Sequence, residues 1–198
     1  MRSVLLSALA LSSFALAAQQ PAAAPAAPAA PAKMEAPKPG PEMAKLQDLI
    51  GNFRVDEHIE ASAMGPASVG AGFSHVAQGP GGFSILIDYT TLSGAMHGLK
   101  GHGAMAWDDN AKTYKQSWVD SMSPTLTVST GAWEGDTLVM HSEGSFMGKP
   151  YKEQDVFSGI GADGFTITIS WSMDGGPMTK MMTLNHHRLA SAAAPATK

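Results

Sequence analysis

The sequence predicts an all-β domain: a single antiparallel up-and-down barrel of about ten strands with a short N-terminal helix. Three observations carry this. Trp107–Met122, WDDNAKTYKQSWVDSM, reads as two strands joined by a tight turn. Asp108-Asp109-Asn110 supplies turn residues whose side chains bond their own backbone, and Tyr114, Gln116, Trp118 and Asp120 then alternate with Lys115, Ser117 and Val119. The same period of two recurs across residues 52–189 at short spacing, with turn residues between the runs. Short connections favour a meander, and closing it removes the edges that would otherwise aggregate.

Taken in order, Glu42–Ile50 has the pattern of a short helix. Pro41 suits its start, Met43, Leu46, Leu49 and Ile50 share a face, and Gly51 suits its end. So short a helix needs tertiary cover, and the open end of a barrel would provide it. Phe53, Val55 and Ile59 then alternate with Arg54, Asp56, His58 and Glu60, and Val69, Ala71, Phe73 and His75 continue after a Gly65-Pro66 break. Phe83, Ile85, Ile87 and Tyr89 follow Gly79-Pro80-Gly81-Gly82. Gly101–Trp107 and Thr113–Val119 flank the Asp-rich turn, followed by Leu126, Val128 and Thr130, then Leu138 and Met140. Pro150–Phe157 is a weaker strand. Phe165, Ile167, Ile169 and Trp171 form the cleanest, and Gly175-Gly176 turns it into Met178–Arg188. Ala71, Ala104 and Ala106 are small residues expected to leave space inside.

The ends have a different composition. Arg2 and the apolar run Val4–Leu16, followed by Ala15-Leu16-Ala17, predict a signal peptide over residues 1–18 and a periplasmic or secreted product. Residues 19–41 form an Ala/Pro-rich linker, 42–189 the barrel domain and 190–198 a disordered tail. The chain has no Cys, so its stability must come from an ordinary core. A net charge of −4 without a basic stripe argues against a nucleic-acid partner. No stretch after the signal is long and apolar enough for a transmembrane helix.

Leu46–Gly51, Gly101-His102-Gly103, Trp107-Asp108, Tyr114, Trp118-Val119-Asp120-Ser121-Met122, Gly131, Gly148-Lys149-Pro150 and a last strand ending in Arg188 together resemble a known bacterial family. It is the family called domain of unknown function fifteen-seventy-nine, patterned LxxLxGxW, GYDxxxxxYxxxWxDSM and YxR. Phe53, Trp107 and His186 stand where Trp, Tyr and Tyr are usual, each swap keeping a ring. The resemblance implies a lipocalin- or calycin-like barrel and leaves the biochemical role open. In calycins an arginine from the last strand covers the ring of an early G-x-W. By that parallel Gly51, Phe53 and Arg188 are structural, the guanidinium lying on the Phe53 ring.

No Gly-x-Ser-x-Gly elbow, Cys nucleophile, His-Glu-x-x-His or phosphate-binding glycine loop is present, so no catalytic residue is assigned and an enzyme ranks third. Tyr89, Trp107, Trp118 and Trp171 are candidate walls of a ligand site, with Tyr114 and Asp120 on the face of Trp118. Asp120 either contacts a ligand or caps the turn Asp120–Pro124 through backbone N–H groups. His186, if it shares the face of Arg188, points inward, where an imidazole serves haem iron or a core hydrogen bond. The 13 methionines, several near the last hairpin, admit Cu(I), but Met181 and Met182 should face opposite ways, and flexible core filling suffices. The expectation is an exported barrel binding a small apolar or amphipathic molecule through its mouth. The alternative is a filled barrel acting on an envelope partner, and the third a haem- or metal-binding barrel or enzyme.

Overall fold

Ten strands close into one antiparallel ring. In the computed structural model, which describes residues 36–63 and 65–190, they are β1 Gly51–Ile59, β2 Ser68–Gln78, β3 Ser84–Ser93, β4 Lys100–Asp108, β5 Thr113–Asp120, β6 Ser123–Glu134, β7 Thr137–Phe146, β8 Lys149–Gly161, β9 Gly164–Met173 and β10 Thr179–Arg188. Each strand pairs with the next, and β10 returns to β1 through Phe53↔Arg188 to Ile59↔Met182. The expected signal peptide, residues 19–35 of the expected linker and the tail beyond residue 190 lie outside the described residues.

The helix expected over Glu42–Ile50 is instead two pieces, α1 Pro41–Ala44 and a 3-10 turn Gln47–Leu49. The tighter winding has a reason. A rise of three residues per turn stacks positions i and i+3, and it puts Met43, Leu46 and Leu49 on one side. All three are buried in the core cluster, where they close one end of the barrel. Burying each such side chain contributes about 1.5–3 kcal/mol.

Alternation sets the lumen. Phe53, Val55 and Glu57 of β1 point inward, and the register carries that parity round the ring. On β9 the apolar set Phe165, Ile167, Ile169 and Trp171 faces in. On β2 the expected apolar run is turned outward. Val69 is 70% exposed and Phe73 37%, while Gly70, Gly72 and Ser74 oppose Glu57, Val55 and Phe53. Ala71, Ala104 and Ala106 likewise fall on the outer parity, so glycines rather than alanines supply the interior space. Leu126 and Val128 of β6 are 58% and 54% exposed, with Thr127 and Ser129 inside.

The β6–β7 ladder runs only from Glu134↔Thr137 to Thr130↔His141. Residues 123–129 and 142–146 therefore continue towards the mouth without pairing to each other, and the wall has a fork at this point.

Candidate functional site

The lumen divides into an apolar floor and a polar upper half. At the floor, Arg188 donates from Nη1 to the Ile50 carbonyl at 2.5 Å, from Nη2 to that of Asp48 at 2.5 Å and from Nε to that of Ala162 at 2.7 Å. Its guanidinium carbon lies 4.8 Å from the centroid of the Phe53 ring. Gly51, at φ +154°, is the point where a Cβ would collide with that guanidinium. His186 points inward and is 5% exposed, stacked on Phe165 with ring centroids 4.2 Å apart, its Nδ1 3.3 Å from the Leu184 carbonyl. Burial pulls its pKa down to about 4, so the imidazole is neutral.

Tyr114 and Trp107 also belong to this end. Their rings meet edge to face at 5.0 Å. The Tyr114 hydroxyl donates to the Glu42 carbonyl at 2.9 Å and accepts from Trp133 Nε1 at 3.1 Å. Burial, aided by Glu42, pushes the phenol up to about 12 despite the Trp133 bond. Of the ring residues singled out from the sequence, these two therefore sit beneath the helical plug and away from the mouth.

Trp118 and Asp120 lie at the rim. The Trp118 ring occupies a channel over Gly101 and Gly103, where a Cβ on either glycine would overlap it. Its Nε1 donates to Asp120 Oδ2 at 3.2 Å, while Asp120 Oδ1 accepts from the backbone N–H groups of Met122 and Ser123 at 2.8 and 2.9 Å. Ser121 Oγ accepts from the Lys100 N–H at 3.0 Å and ties the β5–β6 turn to β4. Asp120 thus caps its turn and orients the indole, so both oxygens have donors.

The upper half holds more acid than the sequence reading expected. Glu57, 1% exposed, accepts at Oε1 from the Tyr89 hydroxyl at 2.5 Å and from Thr91 Oγ1 at 2.8 Å. Burial and the Glu57 bond hold the Tyr89 phenol protonated far above its ordinary range. On β8, Glu153 accepts from Trp171 Nε1 at 2.6 Å, and Trp171 stacks on Tyr151 at 5.1 Å. Asp155, 7% exposed, follows on the same face. Burial, then the charge of Glu153, raises Asp155 well above the usual carboxylate range, and burial raises Glu153. Glu57 Oε2, Gln116 Oε1, Ser142 Oγ and Asp155 Oδ1 are buried without a hydrogen-bond partner. By strand register all four point into the lumen.

Two clefts lie beside this half on the barrel surface. A cleft of about 370 Å³ at the β6–β7 fork is lined by outer residues such as Val128, Thr130 and His141 and by inward Ser142 and Glu153. One of about 650 Å³ at the rim includes Gly144, Tyr151 and Lys152. Tyr151 leans over Gly144 beside the fork.

The family described as Protein of unknown function (DUF1579) matches residues 38–188. The chain belongs to that family. In the DUF1579 barrel, Gly101, Gly103, Trp118, Asp120 and Ser121 form one rim assembly. Among solved structures, the chain is similar to Rv2717c from M. tuberculosis, at 12% identity and a TM-score of 0.54, covering 77% of this chain and 100% of that one. It also matches the S-type phycobiliprotein lyase CPES from Guillardia theta, at 13% identity and a TM-score of 0.48, covering 78% and 100%. The Rv2717c likeness is one of fold. No curated protein matches the sequence. Glu57, Ser142, Glu153 and Asp155 went unnoticed in the sequence reading, although Glu57 shares the parity of Phe53, Val55 and Ile59. A carboxylate on an otherwise apolar face was the available signal.

Proposed function

We propose that this protein is a small-molecule-binding barrel whose site is the mouth half of the lumen, and that its guest is amphipathic. The observation that carries this is the group of buried, inward-pointing polar atoms without partners: Glu57 Oε2, Gln116 Oε1, Ser142 Oγ and Asp155 Oδ1. Leaving such an atom unsatisfied costs about 1–3 kcal/mol, more when it is charged, and a guest that bonds it recovers that cost. The partly buried Ile87, Ile169 and Met182 pack against the core and offer apolar wall to a guest's other end. Trp118 and Trp171 are the aromatic anchors of this reading. Trp107 and Tyr114 serve the floor, and neither haem nor copper is required. We take the protein to act in the periplasm or outside the cell, on the strength of Arg2, Val4–Leu16 and the Ala-Leu-Ala that ends the run.

Titration with Nile red, an uncharged solvatochromic dye, tests the reading. The expected result is saturable binding to the folded domain with quenching of Trp emission. Trp118→Ala should weaken binding by about 1–3 kcal/mol, the range for one well-packed aromatic anchor. No saturable binding, with Trp118→Ala merely less stable, would leave a filled barrel that acts through its surface.

A further inference from the structure

The polar half of the lumen is chemically one-sided. Two of its unpartnered buried atoms are carboxylate oxygens, on Glu57 and Asp155, and a third carboxylate, Glu153, stands two residues from Asp155. Among the described residues, register places two cationic residues on the inward parity: Lys149, exposed where β8 begins at the rim, and Arg188. Arg188 is spent at the opposite end on three backbone carbonyls and the Phe53 ring. An anionic head group inside the lumen would therefore meet the buried carboxylates Glu57 and Asp155 and no buried cation.

Glycine makes the Glu57 station possible. A Cβ at Gly70 would come 2.7 Å from Glu57 Oε2, and one at Gly72 would come 2.6 Å from the Tyr89 hydroxyl. The chain has left side chains out of β2 beside this carboxylate, and Tyr89 and Thr91 hold one oxygen so that the other stays free. A carboxylate fixed by two donors and bare on its second oxygen is preorganised to receive a further donor.

The geometry points to a cationic head: we propose that the lumen takes an amphiphile carrying a protonated primary amine, held by Glu57 and Asp155. This rests on the lumen-binding reading given above and adds the class of guest. An ammonium presents three N–H donors and no acceptor, which complements a wall whose open valences are oxygens. Without it, burial favours a proton on Asp155. The ammonium replaces that proton as the positive partner, so binding releases a proton to solvent. The alkyl part lies along the apolar wall of Ile87, Ile169, Leu184 and Met182.

Decylamine, decanol and decanoate share a tail and differ in the head, so their displacement of Nile red below their micellar concentrations isolates the head group. Decylamine should displace the dye at a concentration about tenfold or more below that of decanol, as expected for one charge-assisted hydrogen bond, with decanoate weakest. Glu57→Gln and Asp155→Asn should each remove most of that advantage, read as the ratio of decylamine to decanol displacement within the same variant. Circular dichroism checks that each variant is folded, and if Glu57→Gln does not fold, the isosteric Asp155→Asn carries the test. Decanoate or decanol competing as well as decylamine would overturn the proposal while the lumen still binds. Amine preference surviving in the folded variants would also overturn it. Failure of Nile red itself to bind would bring down both readings.

Discussion

His186 and Asp155 are both buried in the lumen wall, and burial moves their pKa values in opposite directions because it penalises whichever form is charged. For His186 the folded value is about 4 against an ordinary 6.5. Between those pH values the unfolded chain holds a proton that the folded barrel refuses. Its contribution is therefore complete above pH 6.5 and is lost as pH falls towards 4, up to about 3 kcal/mol from a shift of this size. Asp155 has the opposite sign. Its folded pKa is raised, so the folded state keeps a proton that the unfolded chain gives up above its ordinary 3.8, and stability declines as pH rises from there. Urea unfolding of the wild type, His186→Phe and Asp155→Asn at pH 4.5 and 7.5 checks both. Relative to wild type, His186→Phe should flatten the acid-side loss. Asp155→Asn should raise stability at pH 7.5 and change it little at pH 4.5. A lower stability of Asp155→Asn at pH 7.5 would mean that the carboxylate holds the fold together rather than straining it.

The strands were legible throughout the sequence, but their inner face was legible only where the lumen is apolar. β9 shows Phe165, Ile167, Ile169 and Trp171 on one parity, and that parity faces the core because the wall on that side is packed. β2 and β6 invert the rule. Their inner positions hold Gly70, Gly72, Ser74, Thr127 and Ser129, which make room for Tyr89 and Glu57 or line the polar half, and their apolar residues remain outside. A period of two fixes that a strand exists but not which face is inner when the interior is not oily. The Gly101-His102-Gly103 and Trp118-x-Asp120-Ser121 segments were visible as motifs. Their connection was not, because it depends on β4 lying beside β5 in register Gly101↔Asp120 and Gly103↔Trp118. That pairing yields a prediction at this scale. Gly101→Ala puts a methyl where the Trp118 ring lies, so the ring must leave its channel or the strands must part. The expected cost is about 1–3 kcal/mol in chemical denaturation, with a red shift of Trp emission as the indole becomes wetter. An unchanged emission maximum with full stability would show that the channel has slack.

Closure of the ring and the fork in its wall are properties of the whole molecule. Ten strands joined in sequence leave no edge strand, and the helical plug with Arg188 seals one end. The other end is interrupted between β6 and β7, where pairing stops at Thr130↔His141 and both strands run on. Backbone groups along this gap lack the ladder partners that their neighbours have, and the Tyr151 ring lies over Gly144 beside it. Local opening is cheapest where ladder bonds and apolar contacts are fewest, so the fork is the expected place for the barrel to breathe and admit a guest. Hydrogen exchange followed by mass spectrometry can test this. Amides in residues 123–129 and 142–146 should exchange faster than those of the paired segments 130–134 and 137–141. Saturating Nile red should slow the fork more than the β1–β2 and β9–β10 ladders, because a guest in the proposed site would lie near Ser142 and Glu153, whose side chains line the cleft there. Tyr151→Ala, which removes the ring over Gly144, should speed exchange at the fork in the free protein and leave the plugged end unchanged. If the dye protects the β3–β4 loop instead and the fork is indifferent to it, then guests enter over the rim and the gap in the wall is only a local irregularity of pairing.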